Sequence, residues 1–479
     1  MHKYDILCYT LTIIWHKMSY ETQCKMFSFG GYDMNFKRKL WWAQHRNEVY
    51  KYGTILSLVL IVTISIIYFT YSKFTSTNEA TAYETTVEPF IKNDYFIASY
   101  IDGEWSNEIP GKDDGYVVDK IVCDNGAIGT WNSDEWSITI KNATKKIKCS
   151  VFFIVKPVSV TEKITTLATT DTTNFATDDP DNNIRYIGAN PNNYIYFNCS
   201  DYNNQSDSTC EKWRIIGVFK NMTKSDGTKE DLVKIIRDDS IGNYSWDSSD
   251  SSTNSGYGVN DWTNADAMKL LNSGYDGEIV GGSLYWNAKS GTCYSGSSNA
   301  ATSCDFTSTG LKNDLTRNAI ESVVWNLGGT ASYNSASNGL ASHWYGYERG
   351  TIVHSGHATI WMGRVGLMYP SDYGYATAGG ATTNRAACLA KEMLNWDGSD
   401  VSDCKNNDYL FKLSSSQWTL VPYSSNPASV FNVYTLGIVD NNGACDPFWV
   451  RPTLYLKSNI SITDMGNGTS ESPYQLRVS

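Results

Sequence analysis

A chain of 479 residues has room for two or three domains at roughly 150 residues each. Aromatics reach 13%, and rings of that size need burial, so a disordered chain is excluded. A formal net charge of −11 argues against a nucleic-acid partner, because phosphate binding needs a basic footprint.

In chain order, residues 1–33 show no clear period, whereas MNFKRKLWW from Met34 reads as a natural start. The hypothesis is that translation begins at Met34; peptides from residues 1–33 in a map of the intact protein would overturn it. Lys37, Arg38, Lys39, Arg46 and Lys51 then precede an uncharged run at 52–72 that contains TILSLVLIVTISIIYFTY. As a helix this run would span roughly 31 Å, the thickness of a bilayer's hydrocarbon core. Trp41, Trp42, Tyr50, Tyr52, Tyr68 and Tyr71 flank it as interfacial aromatics do. The expectation is a signal anchor: residues 1–51 cytoplasmic, 52–72 one transmembrane helix, the rest extracellular by the positive-inside rule. The alternative is a cleaved signal peptide with Ala80-Thr81-Ala82 as its site, but the apolar run is long for that role.

Residues 73–89 read as a polar, Thr-rich stalk. From 90 to 157, YFIASYI (95–101), YVVDKIVC (116–123), WSITI (136–140) and KCSVFFIV (148–155) alternate with turn signals, predicting a small β-sandwich spacer. Residues 158–183 are rich in Thr and Asp and read as a solvated linker; Asp178, Asp179 and Asp181 lack the spacing of a calcium loop. The remaining 184–479 form one large head. Strands are expected at 194–198, 213–219, 232–236, 429–439 and 450–456. Helices are expected after Thr263 (with Asp266 in a capping-box spacing), over 311–327, and over 384–396.

Nine cysteines follow the apolar run, and eight form neighbouring couples: Cys123 with Cys149, Cys199 with Cys210, Cys293 with Cys304, and Cys388 with Cys404. In an oxidising exterior the reading is four local disulfides, with Cys445 left over. A zinc site is the alternative, but close C-x₂₋₄-C spacing does not occur.

The stretches DDPDNNIRYIGANPNNYIYFNCSDY (178–202), CEKWRIIGVF (210–219), GVNDWTNADAMKLLN (258–272), GLMYPSDYGYA (366–376) and WTLVPYSSNPASVFNVYTLGIVDNNG with WVRPTLYLKSN (418–459) carry a resemblance. Residues 178–479 resemble the formylglycine-generating-enzyme-like branch of the C-type-lectin-like fold, and more closely a set of uncharacterised surface proteins of gut-type Firmicutes. The resemblance implies an irregular α+β head that recognises a ligand outside the cell. Formylglycine-generating enzymes use a reactive, copper-binding cysteine pair near the C-terminus. Here Cys445 has no cysteine a few residues away, so the sequence departs from that catalytic pattern.

No nucleotide, esterase or zinc-protease motif appears, and no cofactor is expected. His354-x-x-His357 has metal-like spacing on a helix, but Gly356 and β-branched neighbours suggest strand or loop, and exposed loop histidines are the preferred reading. Asn142, Asn221 and Asn467 open Asn-x-Thr sequons, which an Asn-rich chain contains by chance. Rings bracketed by small polar residues suit recognition of a glycan or protein. Trp344, Tyr347, Tyr423, Phe431, Tyr434 and Trp449 are the candidate binding residues, with 418–449 as the favoured surface; the alternative for any single ring is that it packs an irregular core with little aliphatic content. The class expected is therefore α+β: a single transmembrane helix, a small β-sandwich spacer, then a C-type-lectin-like head. Its expected function is adhesion or glycan binding; the alternatives are a formylglycine-generating type of enzyme, another envelope hydrolase, or a structural envelope protein.

Overall fold

The computed structural model describes residues 95–143, 146–249, 256–463 and 465–478, together with His45, Asn47, Glu48 and Lys51. The expectations for the Met34 start, the span at 52–72 and the stalk at 73–89 lie outside the described residues, as does most of the segment 1–51. What is described is mostly sheet, 34% strand against 15% helix. This corrects the expected α+β class; among the described residues, which do not include 52–72, no helix is long and apolar enough to cross a membrane. The helices stay short because Asn, Ser, Thr and Gly recur every few residues, and their side chains or backbones favour caps and turns over propagation. The chain divides into two compact units, Met1–Val155 and Lys156–Ser479.

In the first unit, β1 (Tyr95–Ile101), β2 (Glu104–Ser106), β3 (Tyr116–Cys123) and β6 (Ile147–Val155) form one sheet in the order β2-β1-β6-β3. β4 (Ile128–Asn132) and β5 (Ser137–Lys141) form a separate hairpin. One sheet plus a hairpin replaces the two-sheet sandwich expected. On β6, Ile147, Cys149, Val151 and Phe153 turn inward, as strand alternation requires. The hairpin covers them: Trp131 meets Phe153 edge-on at 5.6 Å and Trp136 at 5.1 Å. Cys123 and Cys149 face each other in register and are disulfide-bonded.

The second unit opens with β7 (Val158–Ser159) and α1 (Val160–Ala168), which corrects the linker expected at 158–183. The Thr-rich composition hid a buried i,i+4 pair, Val160 and Ile164, and a cap in which the Ser159 hydroxyl accepts from the Glu162 N–H at 3.1 Å. β8 (Phe175–Ala176), β9 (Ile184–Tyr186), β10 (Tyr194–Phe197), β11 (Glu211–Thr223) and β12 (Lys229–Arg237) follow. The central pair is β11–β12, whose register slips at two bulges, between Ile215 and Gly217 and between Phe219 and Met222. β9 crosses so close to Gly217 that a Cβ there would lie 2.0 Å from the Ile184 carbonyl oxygen.

Next come β13 (Asn243–Tyr244), α2 (Asp266–Leu271), β14 (Ser290–Tyr294), β15 (Ala301–Asp305), α3 (Asp314–Asn318) and β16 (Val323–Asn326). Asp261 caps a short 3₁₀ turn at 262–264 by accepting from the Thr263 N–H, whereas α2 starts after Ala265 with no side-chain cap, so the capping box expected from Thr263 and Asp266 does not form. The helix expected over 311–327 is only α3; Val323 and Trp325 are buried in alternation with Val324 and Asn326, and that period makes a strand. α4 (Ala341–Glu348), β17 (Ile360–Gly363), β18 (Val365–Gly366), α5 (Pro370–Ala376), α6 (Arg385–Leu389) and α7 (Ser402–Asn406) lead to the last strands. α6 stands where 384–396 was expected to be helical throughout; only a 3₁₀ turn at 393–395 follows it.

β19 (Gln417–Pro422), β20 (Ser429–Val433), β21 (Val439–Gly443), β22 (Phe448–Trp449), β23 (Thr453–Tyr455), β24 (Ser461–Ile462) and β25 (Leu476–Arg477) complete the unit. The largest sheet runs β18-β23-β12-β11-β9-β8, with β10 also on β11; a second runs β13-β22-β19-β20-β21. A third, β25-β24-β7, ties the end of the unit to its beginning. One continuous core fills the unit, with Trp213, Trp246, Trp262, Trp325, Trp344, Trp396 and Trp418 all fully buried. Disulfides Cys199–Cys210, Cys293–Cys304 and Cys388–Cys404 staple loops or adjacent short elements.

Candidate functional site

The bulge at the end of β11 shapes the site. Pairing with β12 is lost between Phe219 and Met222, and Asn221 takes a left-handed backbone with φ 53°. Bulges re-aim side chains, and such backbone is held only where the surroundings impose it. Here the Asn221 N–H donates to Asp231 Oδ1 at 2.9 Å, and the Lys220 N–H to Asn183 Oδ1 at 2.8 Å. The displaced end of β11 leaves a cavity of about 160 Å³ against β16 and the C-terminal end of α4. That volume is below the range of drug-sized pockets, which begin at about 300 Å³.

Tyr345 and Arg349 form one wall. The Arg349 guanidinium carbon lies 3.3 Å from the Tyr345 ring centroid. The Tyr345 hydroxyl donates to Asp181 Oδ2 at 2.6 Å and accepts from Asn183 Nδ2 at 2.9 Å. Burial and the Asp181 hydrogen bond both raise the pKa of this phenol, so it stays neutral. Arg349 Nη1 donates to Glu348 Oε2 at 3.0 Å and to the Tyr345 carbonyl at 3.2 Å. Phe219, Met222, Thr223, Val324 and Asn326 also line the cavity.

Behind this wall lies a buried ionic network. Arg185 Nε donates to Asp179 Oδ2 at 2.6 Å and its Nη1 to Asp372 Oδ1 at 3.1 Å, while Lys234 Nζ meets Asp372 Oδ2 at 2.5 Å. Phe219, Tyr369, Trp325 and Tyr455 surround the Lys234 ammonium at 4.3 to 5.5 Å. Burial alone would raise the Asp372 carboxyl, but Lys234 and Arg185 hold it below the usual range, so it stays ionised. Burial draws Lys234 down to about 8, against the pull of Asp372. Glu348 is pushed up to about 7 by burial, even though Arg349 and Ser371 favour its anion. Ser371 gives it both an N–H at 2.8 Å and a hydroxyl at 2.6 Å. The network thus fixes α4, α5, β9 and β12 to one another and pre-forms the wall that carries Arg349.

A second titratable pair sits apart. The Asp266 N–H donates to Asp247 Oδ1 at 3.2 Å, and the Ser248 N–H to Asp266 Oδ2 at 2.8 Å. Burial and the neighbouring Asp247 push Asp266 up to about 7. The hydrogen bonds into this pair knit the chain around α2 together.

The expected binding rings fare differently. Trp344 and Phe431 are fully buried, 4.6 Å apart edge-on, so the binding role expected of them is corrected to a core role. Tyr423 and Tyr347 pack half-buried against that pair, with Tyr333 at its centre. An aliphatic-poor interior needs these rings to fill it. Tyr434 and Trp449 are half-buried and lie apart from that cluster; Tyr434 hydrogen-bonds Asn442, and Trp449 pairs with Asn243 across β22 and β13. The site chosen from sequence is thus split between a core cluster and two rings outside it, of which Tyr434 packs on Phe448 at 6.3 Å.

All four expected disulfides form, and Cys445 is a buried free thiol whose pKa is raised by burial and by Asp446. Copper-pair chemistry would need a second thiol beside it, and the other eight described cysteines are bonded. His354 and His357 lie on a turn with ring centroids 5.1 Å apart. Among the described residues no group of three or more His, Cys, Asp or Glu is placed to hold a metal ion.

The groove residues were not singled out by sequence reasoning. Asp181 was assigned to the linker, and Asn221 was noticed only for its sequon. The signal that existed was the crowding of Asp178, Asp179 and Asp181. Each carboxylate has its own cation nearby: Arg385 at 2.7 Å, Arg185 at 2.6 Å and Arg349 at 4.0 Å. No family model, curated protein or solved structure matches the chain, so the resemblance described above rests on its quoted motifs alone.

Proposed function

We propose that this protein is a recognition protein of the cell surface whose second unit binds a glycan in the groove beside Arg349. Four disulfides support placement outside the reducing cytoplasm, where such bonds persist. The observation that carries the reading is a small polar cavity with a rigid, pre-paired wall and a rim of uncommitted donors. The side chains of Lys220, Asn221, Thr223 and Asn326 make no hydrogen bond or ion pair with the described residues. Amides and hydroxyls at such a rim suit sugar hydroxyls, and a pre-formed wall lowers the entropic cost of binding. The groove holds no nucleophile–base pair, so binding is favoured over catalysis.

The test is a glycan screen of the full oxidised chain beside its Asn221→Ala/Asn326→Ala variant. Saturable binding that the variant loses, with tryptophan fluorescence and thermal midpoint unchanged, supports the reading. Binding that survives in the variant refutes this groove as the site, and absence of binding to any sugar refutes the glycan.

A further inference from the structure

We infer that the sugar bound in this groove carries a carboxylate, a uronic acid or another sugar acid, held between Lys220 and Arg349; this rests on the groove being a glycan site. The lining residues include two cations, Lys220 and Arg349, and one carboxylate, Asp181. What matters is which charges are already engaged. Asp181 Oδ2 accepts the Tyr345 hydroxyl at 2.6 Å and lies 4.0 Å from Arg349 Nε, so this oxygen of the lining carboxylate is committed to the wall.

Arg349 spends Nη1 on Glu348 and on the Tyr345 carbonyl, while its Nη2 donates to no group among the described residues. Its guanidinium plane is fixed against Tyr345 and a quarter exposed, so the free edge is presented without further ordering. The Lys220 backbone is pinned through Asn183, yet its exposed ammonium forms no ion pair among the described residues. Asn183 in turn is locked to Asp179 by two hydrogen bonds, at 2.8 and 2.9 Å. Two cations that line one small cavity and keep free donors, Arg349 held by its partners and Lys220 anchored at its backbone, suit one carboxylate through charge-assisted hydrogen bonds. The unused amides of Asn221 and Asn326 then remain for the ring hydroxyls. A neutral sugar would leave the Lys220 ammonium without a partner, and the Arg349 Nη2 donor unused, when the groove is filled.

The experiment is calorimetric titration of the full oxidised chain with D-glucuronate, D-glucose, and an oligosaccharide ending in glucuronate. The expected result is saturable glucuronate binding at least about tenfold tighter than glucose, the size of one charge-assisted hydrogen bond. Lys220→Ala should weaken glucuronate by roughly tenfold, Lys220→Arg should restore most of it, and glucose should be unaffected. The oligosaccharide binding more tightly than the monosaccharide supports a glycan terminus as the source; equal binding supports a free sugar acid. Glucose and glucuronate binding equally, both lost in Asn221→Ala/Asn326→Ala, overturns the acid but leaves the glycan groove standing. Glucuronate binding that is indifferent to Lys220→Ala overturns the inference as well. If no sugar binds, both readings fall.

Discussion

Asp372 tests the buried network directly. Its two oxygens receive Lys234 and Arg185, and Oδ2 also accepts the Tyr369 N–H at 2.9 Å where α5 begins. Replacing Asp372 with Ala strands the Lys234 ammonium in a fully buried aromatic cage, because that carboxylate is its sole ion-pair partner among the described residues. Arg185 keeps Asp179, so its loss is partial. Removing one partner of a buried pair costs about 3–5 kcal/mol, mostly the penalty of the charge left behind. The double variant Asp372→Asn/Lys234→Met removes that charge and should recover more than half of the loss. Urea unfolding of the oxidised chain, followed by tryptophan fluorescence, measures both; Lys156–Ser479 holds most of the 16 tryptophans. With an m-value of about 3 kcal/mol/M the Asp372→Ala midpoint falls by roughly 1 to 1.7 M. A loss under about 1 kcal/mol, or a double variant no more stable than the single one, would refute the view that Asp372 neutralises a stranded cation.

Trp344→Ala and Phe431→Ala should each destabilise by about 3–5 kcal/mol, since both rings are fully buried; near-wild-type midpoints would return these residues to the surface. Asp266 and Glu348 have folded pKa values raised to about 7, so their contribution is complete below the usual carboxylate range and is lost as pH rises through about 7. Asp372 has the opposite sign: its contribution is lost as pH falls through its depressed folded value. Chemical unfolding at pH 5 and pH 8 should therefore show Asp266→Asn gaining relative to wild type at the higher pH. An Asp266→Asn difference that is independent of pH would show that this carboxyl does not titrate in the window. Removing Cys388–Cys404, which are 16 residues apart, should cost about 3 kcal/mol by loop entropy, read as a lower thermal midpoint under non-reducing conditions. An unchanged midpoint would mean that local packing alone holds α6 to α7.

Strands were the part most readily seen in the sequence. β1 and β3 coincide with the apolar runs at 95–101 and 116–123, because short β-branched and aromatic runs bounded by turn residues mark strands directly in the chain. Neighbouring cysteines were equally legible, since short loops and hairpins bring them together without long-range information. The failure at 311–327 has a local cause: spacing by three and four also fits Leu315, Ala319 and Val323, and it masked the two-residue alternation of Val323 and Trp325. Leu315, which that helical spacing would place on the same face as buried Ala319 and Val323, is 43% exposed. The groove was beyond reach for a different reason. Asp181, Asn221, Asn326 and Arg349 come from four separated segments, and the bulge that assembles them depends on pairing with Lys229 and Glu230 on another strand. The buried rings were misjudged because small polar neighbours in sequence say little about what packs on a ring in space.

The small sheet β25-β24-β7 sets a timetable for biosynthesis. Ser159 pairs with Ser461, which pairs in turn with Arg477, and Ile195 bridges to Tyr474. The first strand of the second unit therefore waits for partners made some 300 residues later, on the order of 15–60 s at ribosomal speeds of about 5–20 residues per second. During that interval Cys199–Cys210 and Cys293–Cys304 can already close, since each bond needs only 11 residues of separation. Oxidation can thus run ahead of folding, protecting early segments from mispairing while the edge of β7 stands open. A nascent chain arrested before residue 461 should be oxidised at those couples yet remain open to protease around 158–168.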